Sequence, residues 1–222
     1  MIPLSATMKR VSRPSRATSS AKKRHLAKSA AGQRNTQAGQ IRIIGGQWRG
    51  RKLPVLDALG LRPTTDRNKE TLFNWLMPYV NGARCLDVFA GSGGLGLEAL
   101  SRYASHCDFI ELDKGAAAQL RTNLATLKLG DASSARVHNA NALQVLSGLS
   151  VNPYDIVFVD PPFNKGLVEP ALVALINCVK AGSIIYLEHE STLTTPTLPE
   201  KWQIIKEKRT NALCYMLIEV TD

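Results

Sequence analysis

The sequence predicts an α/β protein. Its core is a mostly parallel sheet with helices on both faces, an antiparallel hairpin at one edge, and a small β-hairpin extension in front. Three observations predict this. From Arg84 onward, short apolar runs alternate with stretches of helical periodicity. A glycine-rich turn joins the first run to the helical stretch after it. Past residue 200 two runs suited to strands, WQIIKEKR and ALCYMLIEV, follow each other with no helical stretch between them.

Residues 1–38 are rich in Ser, Ala, Lys and Arg and poor in large apolar side chains. Such a segment cannot bury enough surface to offset ordering entropy, so it is expected to be a disordered basic tail. Three readings stand: an RNA-binding arm, a solvated extension with Met8 as the true start, and a transit peptide. Residues 39–80 form the expected extension. Within it IRIIGGQWRGRKLPV, 41–55, places two apolar runs around a Gly-rich basic turn, as in a hairpin or two short strands. LRPTTDRNKETLFNWLMPYV then reads as a loop entering a helix, capped by Thr65 or Asp66 with Glu70. Leu72, Phe73, Leu76 and Met77 give that helix an apolar face.

Residues 81–222 are the expected main domain. Strands fall at 85–90, 107–112, 135–139, 155–160 and 183–189. Helices are expected near 95–103, 115–127, 142–149 and 167–180. Strands separated by helices pair in parallel through right-handed crossovers, and the closing hairpin would add an antiparallel strand at the edge.

The formal net charge is +10, and it is unevenly spread. Met1 to Leu56 holds 13 Lys and Arg and no Asp or Glu, so the rest of the chain is slightly acidic. A basic arm on an acidic body points to nucleic acid or an anionic surface. No run approaches the roughly 20 apolar residues of a membrane span, and no secretory apolar region follows Met1. Cys85, Cys107, Cys178 and Cys214 match no metal spacing and read as reduced, buried thiols of a cytoplasmic protein.

The strongest local motif is LDVFAGSGGLGLEAL, 86–100, in which Gly91, Gly93 and Gly96 form G-x-G-x-x-G. Glycines there permit a tight turn and close backbone approach to a ligand at a helix N-terminus. Alone, the motif fits a dinucleotide or another nucleoside. Asp87, inside the strand, would repel a pyrophosphate but receive an ammonium, directly or through water; it would otherwise brace the loop. Glu111, twenty residues past Gly91, suits two ribose hydroxyls. Asn141 offers an amide where an adenine edge would fall, or a plain helix N-cap. Asp160 ends the fourth strand, next to the first, in VDPPF. Its carboxylate and the Pro161 carbonyl are two fixed acceptors suited to a planar amino group, and Phe163 offers a stacking face. Arg49, Arg51 and Lys52 beside Trp48 suit phosphate contact and base stacking, unless the Trp packs on the body.

DPPF resembles motif IV of methyltransferases that modify exocyclic amino groups, and LDVFAGSGGLGLEALSR resembles their cofactor motif. With IRIIGGQWRGRKLPV and LRPTTDRNKETLFNWL, the chain from about Gln40 onward resembles bacterial 16S ribosomal RNA guanine-N2 methyltransferases of the RsmD type, the ribosomal small-subunit methyltransferase D family. The resemblance implies a Rossmann-like class I methyltransferase domain, S-adenosyl-L-methionine as cofactor, and a specific guanine of 16S rRNA as acceptor, presented on the assembled small subunit. It implies that Asp87, Phe89, Ala90, Gly91 and Gly93 line the methionine end. Glu111 would hold the ribose, Asn141 and Ala142 would border the adenine, and Thr64 and Asp66 would close over the site. Asp160, Pro161, Pro162 and Phe163 would hold the acceptor base. Trp48, Arg49, Arg51, Lys52, Arg62 and Arg67 would hold RNA. A monomer without metal or membrane contact is expected. An N6-adenine or N4-cytosine methyltransferase would share DPPF, whereas a non-catalytic RNA-binding relative would not need both Asp160 and an intact glycine loop.

Overall fold

A computed structural model describes residues 39–56, 66–129, 133–149 and 152–222. The expectations for the 1–38 tail, Arg62, Thr64 and Thr65 lie outside the described residues.

Two strands, β1 (Gly39–Arg42) and β2 (Lys52–Val55), pair antiparallel with Ile41 opposite Leu53. The expected hairpin is present, with a 3-10 turn at its tip. Helix α1 (Asp66–Leu76) follows. The chain then alternates through β3 (Arg84–Asp87), α2 (Gly94–Ser101), β4 (His106–Ile110), α3 (Lys114–Thr126), β5 (Ala135–His138), α4 (Ala142–Leu146), β6 (Tyr154–Val159) and α5 (Val168–Leu175). It ends with β7 (Val179–Glu190), β8 (Trp202–Arg209) and β9 (Leu213–Val220).

The seven strands lie in the order β5-β4-β3-β6-β7-β9-β8. Pairings from β5 to β7 are parallel, and β9 runs antiparallel to both neighbours. The inner strands are apolar on both faces because both faces are covered. One core cluster joins Leu72, Phe73 and Leu76 of α1, Leu97 of α2 and Leu120 of α3 to Phe109, Phe158 and Tyr186. The other joins α4 and α5 to Val157, Ile185 and Met216. All four cysteines are buried free thiols.

The closing hairpin forms the expected antiparallel edge, with β9 paired to β7 and β8 outermost. Two other expectations need correction. The helix expected over 167–180 stops at Leu175, and Val179 already belongs to β7. Ser183 explains the early strand: its hydroxyl accepts the Lys180 N–H and donates to the Tyr154 carbonyl, tying this segment to β6. Met77 is 70% exposed because α1 ends one residue before it.

The hairpin packs on the body. Ile41, Ile43 and Leu53 enter the first core cluster. The fully buried Glu98 accepts the Ile44 N–H at 2.8 Å and an Arg102 bond at 2.8 Å. Ser101 Oγ accepts the Trp48 N–H and donates to the Gly45 carbonyl. Buried Lys69 donates to the Arg42 carbonyl. Two buried charges are thus bonded at one joint, as burial demands.

Candidate active site

The site lies where the carboxyl ends of β3, β4 and β6 meet, at the point from which strand order runs outward both ways. The glycine loop leaves β3. Gly91 and Gly93 take φ of 52° and 79°, a region side chains rarely adopt. Gly96 serves packing instead: an added Cβ would lie 2.2 Å from Phe109 Cε1. Helix α2 can press on β4 only because that position is bare.

Asp87 is buried and its Oδ2 accepts the Gly96 N–H at 3.0 Å. It braces the loop from beneath. Burial lifts its carboxyl to about 7 against the pull of the Gly96 bond, and the Glu111 carboxylate adds to the rise. Glu111, at the end of β4, accepts the Gly91 N–H at 2.7 Å and the Asp113 N–H at 2.6 Å. Two carboxylates therefore border this loop, a setting hostile to a pyrophosphate and suited to a cationic, phosphate-free nucleoside. The fit to S-adenosylmethionine rests on that charge and on the bare backbone of Gly91 and Gly93.

Phe89 is half-buried and packs on the second core cluster; Ala90 is buried and its N–H reaches the Ile110 carbonyl. Asn141 caps α4, accepting the Leu143 N–H at 3.0 Å and the Gln144 N–H at 3.4 Å, and Ala142 is buried behind it. Asn139 was not foreseen in its role: its amide donates to the Glu111 and Leu112 carbonyls, joining the ends of β5 and β4. Leu112 was also missed. It is 69% exposed beside Glu111, an apolar face where a base would lie, and an apolar residue directly after the acid was the available signal.

Asp160 follows β6, which pairs with β3, and the Val88 N–H reaches the Phe158 carbonyl at 3.0 Å. DPPF and the glycine loop therefore leave adjacent strand ends, as expected. Pro161 is buried, while Pro162 and Phe163 are exposed. The loop closes at Asn164, in the left-handed region at φ 59°, whose N–H donates to Glu190 Oε1 at 2.5 Å.

The basic residues Arg49, Arg51, Lys52 and Arg67 are all exposed. Trp48 is only partly so and packs against the first core cluster, the packed alternative to an open stacking platform. Asp66 pairs with Arg42 of the hairpin at 2.6 Å, so its visible partner is the extension. Among the described residues no cluster of three or more His, Cys, Asp or Glu is arranged to hold a metal, and no helix is long and apolar enough to cross a membrane.

A family model described as conserved hypothetical protein 95 matches residues 41–219. Ribosomal RNA small subunit methyltransferase D of Escherichia coli (strain K12) is 53% identical over 184 residues, covering 82% of this chain and 91% of that protein. The protein of the same name from Haemophilus influenzae is 51% identical, covering 82% and 94%. Among solved structures, a putative methyltransferase yhhF from Escherichia coli matches at 51% identity and TM-score 0.76, covering 82% of this chain and 99% of that one.

Proposed function

The chain belongs to the ribosomal RNA small subunit methyltransferase D family, and from that membership we propose that it methylates the N2 amino group of a specific guanine in 16S rRNA on the small subunit. The observation that carries this reading is the departure of DPPF and the carboxylate-bordered glycine loop from adjacent strand ends. S-adenosylmethionine, when bound, supplies a methyl group made electrophilic by its sulfonium.

The residues of the chain do the rest. Gly91 and Gly93 give the methionine end room, and Asp87 offers negative charge below it. Glu111 retains carboxylate lone pairs for ribose hydroxyls while it holds Gly91. Leu112 gives the adenine an apolar face, bordered by Asn141 and Ala142. Asp160 and the Pro161 carbonyl accept the two N–H bonds of the guanine amino group and aim its lone pair at the methyl. Phe163 stacks on the base, which must leave its helix to arrive. Asp160 or water would take the proton that the guanine amino nitrogen loses on methylation. Catalysis is then mostly positioning and stabilisation of moving positive charge. Residues 39–80 act as the RNA-contacting extension, with Arg49, Arg51, Lys52 and Arg67 on phosphates.

The test is transfer of labelled methyl from S-adenosylmethionine to three acceptors: small subunits lacking guanine-N2 methylation, stripped ribosomal RNA, and DNA. N2-methylguanine on subunits, lost with Asp160→Ala while cofactor binding persists, is the expected result. Label on adenine, cytosine or DNA overturns the acceptor.

A further inference from the structure

We propose that Glu188 selects guanine, by accepting the base's N1–H beside the amino group held at Asp160. This rests on the acceptor role proposed for Asp160.

Placement comes first. Strands β6 and β7 pair in parallel with Phe158 opposite Tyr186 and Val159 opposite Leu187. One step further along the register, Asp160, just past the end of β6, comes level with Glu188, which still lies within β7. Tyr186 and Glu188 share a face, and the Tyr186 hydroxyl donates to Glu188 Oε2 at 2.8 Å. Burial raises the Tyr186 phenol, and the Glu188 and Asp160 carboxylates raise it further, so both acids act on one side chain. Tyr186 also lines a cavity with Asn68, Trp75 and Tyr215. Tyr215 stands opposite Glu188 across the β7–β9 pairing, and its hydroxyl takes the Asn68 amide at 2.6 Å.

The chemistry of the base edge then discriminates. Guanine presents N1–H and N2–H₂ side by side, donors only. Adenine and cytosine present an amino group beside a ring nitrogen that accepts. An ionised carboxylate only accepts. A second carboxylate beside Asp160 therefore completes the guanine edge and meets the other two bases with lone pair against lone pair. The Tyr186 bond fixes the plane of the Glu188 carboxylate, which turns a charge into a directional acceptor. A site built to bond an N–H rejects the analogue lacking it far better than shape alone allows.

The test uses small subunits reconstituted with guanine or 2-aminopurine at the target position. 2-Aminopurine keeps the amino group and lacks the N1 proton. The wild-type enzyme is expected to prefer guanine by about 10- to 100-fold in kcat/KM. Glu188→Gln, with S-adenosylmethionine affinity and Tm near wild type, is expected to lose a similar factor on guanine and to bring the ratio toward one. Glu188→Asp should restore part of it. An unchanged ratio in Glu188→Gln overturns the proposal. Equal wild-type rates on the two particles overturn it without any variant. Failure of the wild type on both particles overturns the methyltransferase reading beneath it, and is distinguished by that pattern.

Discussion

Glu111 accepts the backbone N–H of Gly91 at 2.7 Å, so the end of one strand holds the turn that leaves its neighbour. The acid set twenty residues beyond the glycine thus has a structural task before any ligand arrives. It also bears on the charge of the site: burial lifts the Asp87 carboxyl to about 7 and the Glu111 carboxylate adds to that rise, so Asp87 passes from protonated to ionised around neutral pH.

That coupling predicts a pH-dependent affinity. Asp87 stands at about 7 in the fold, above its unfolded value of about 4. Its contribution to stability is therefore full at low pH and declines as pH rises toward 7. A ligand ammonium favours the ionised form, so S-adenosylmethionine affinity should climb by about tenfold between pH 6 and 7.5. It should fall again as the ligand's amine deprotonates near about 8. Calorimetry across this range should show the rise in wild type and a flat limb in Asp87→Asn. A persistent rise in the variant would sink the assignment.

Gly96→Ala tests the helix contact. Its Cβ would meet Phe109 and Cys107, at 2.2 and 2.8 Å, both fully buried and unable to yield. Overpacking of this kind costs about 1–3 kcal/mol, or about 3–10 °C in Tm for a domain of this size. Calorimetry showing an unchanged Tm would mean that α2 can slide.

Asp108 predicts acid behaviour. It is buried within β4, where it accepts bonds from Arg84, Tyr154, His106 and His138 at 2.7 to 3.1 Å. Burial alone would raise this carboxyl. The bonds from His106, His138 and Tyr154 outweigh it and hold the group well below the usual carboxylate range. The stability it supplies is present above pH about 4 and is lost as pH falls. Asp108→Asn should cost about 3–5 kcal/mol at pH 7 and flatten the acid limb of urea unfolding. Parallel acid limbs in the two proteins would argue against the network.

Replacing Arg49, Arg51 and Lys52 together with Ala should weaken ribosomal RNA binding and lower its salt slope by about 2–3. S-adenosylmethionine affinity should not move. Filter binding at several salt concentrations checks both, and an unaltered slope would place the RNA elsewhere.

Much of this was legible in the residues. The strand order outward from β3 follows from alternation and a glycine turn, and Asp160 beside that turn follows from DPPF ending the fourth strand. What stayed hidden depends on partners far apart in the chain. Nothing in the local sequence sets Glu98 and Lys69 apart from other helix charges, yet both are buried against hairpin backbone. Trp48 kept two readings open because its packing is decided by α2, more than fifty residues away. Asp108 carried a signal that went unused: an acid in the middle of a buried strand requires donors, and His106 stands two residues before it on the same face. The helix end at Leu175 was misjudged because periodicity does not record where a strand begins to compete, and Met77 was placed on the α1 face although that helix stops at Leu76, two residues before Pro78.

The position of β9 between β7 and β8 orders the assembly of the sheet. Strand β8 precedes β9 in the chain and, among the described residues, pairs with no other strand. It cannot dock alone and must be carried in as half of a hairpin once residues 213–220 have been made. Until then β7 has an open edge, and Tyr186 and Glu188 lack their neighbour Tyr215. A chain cut anywhere inside β9 therefore forfeits two strands for one.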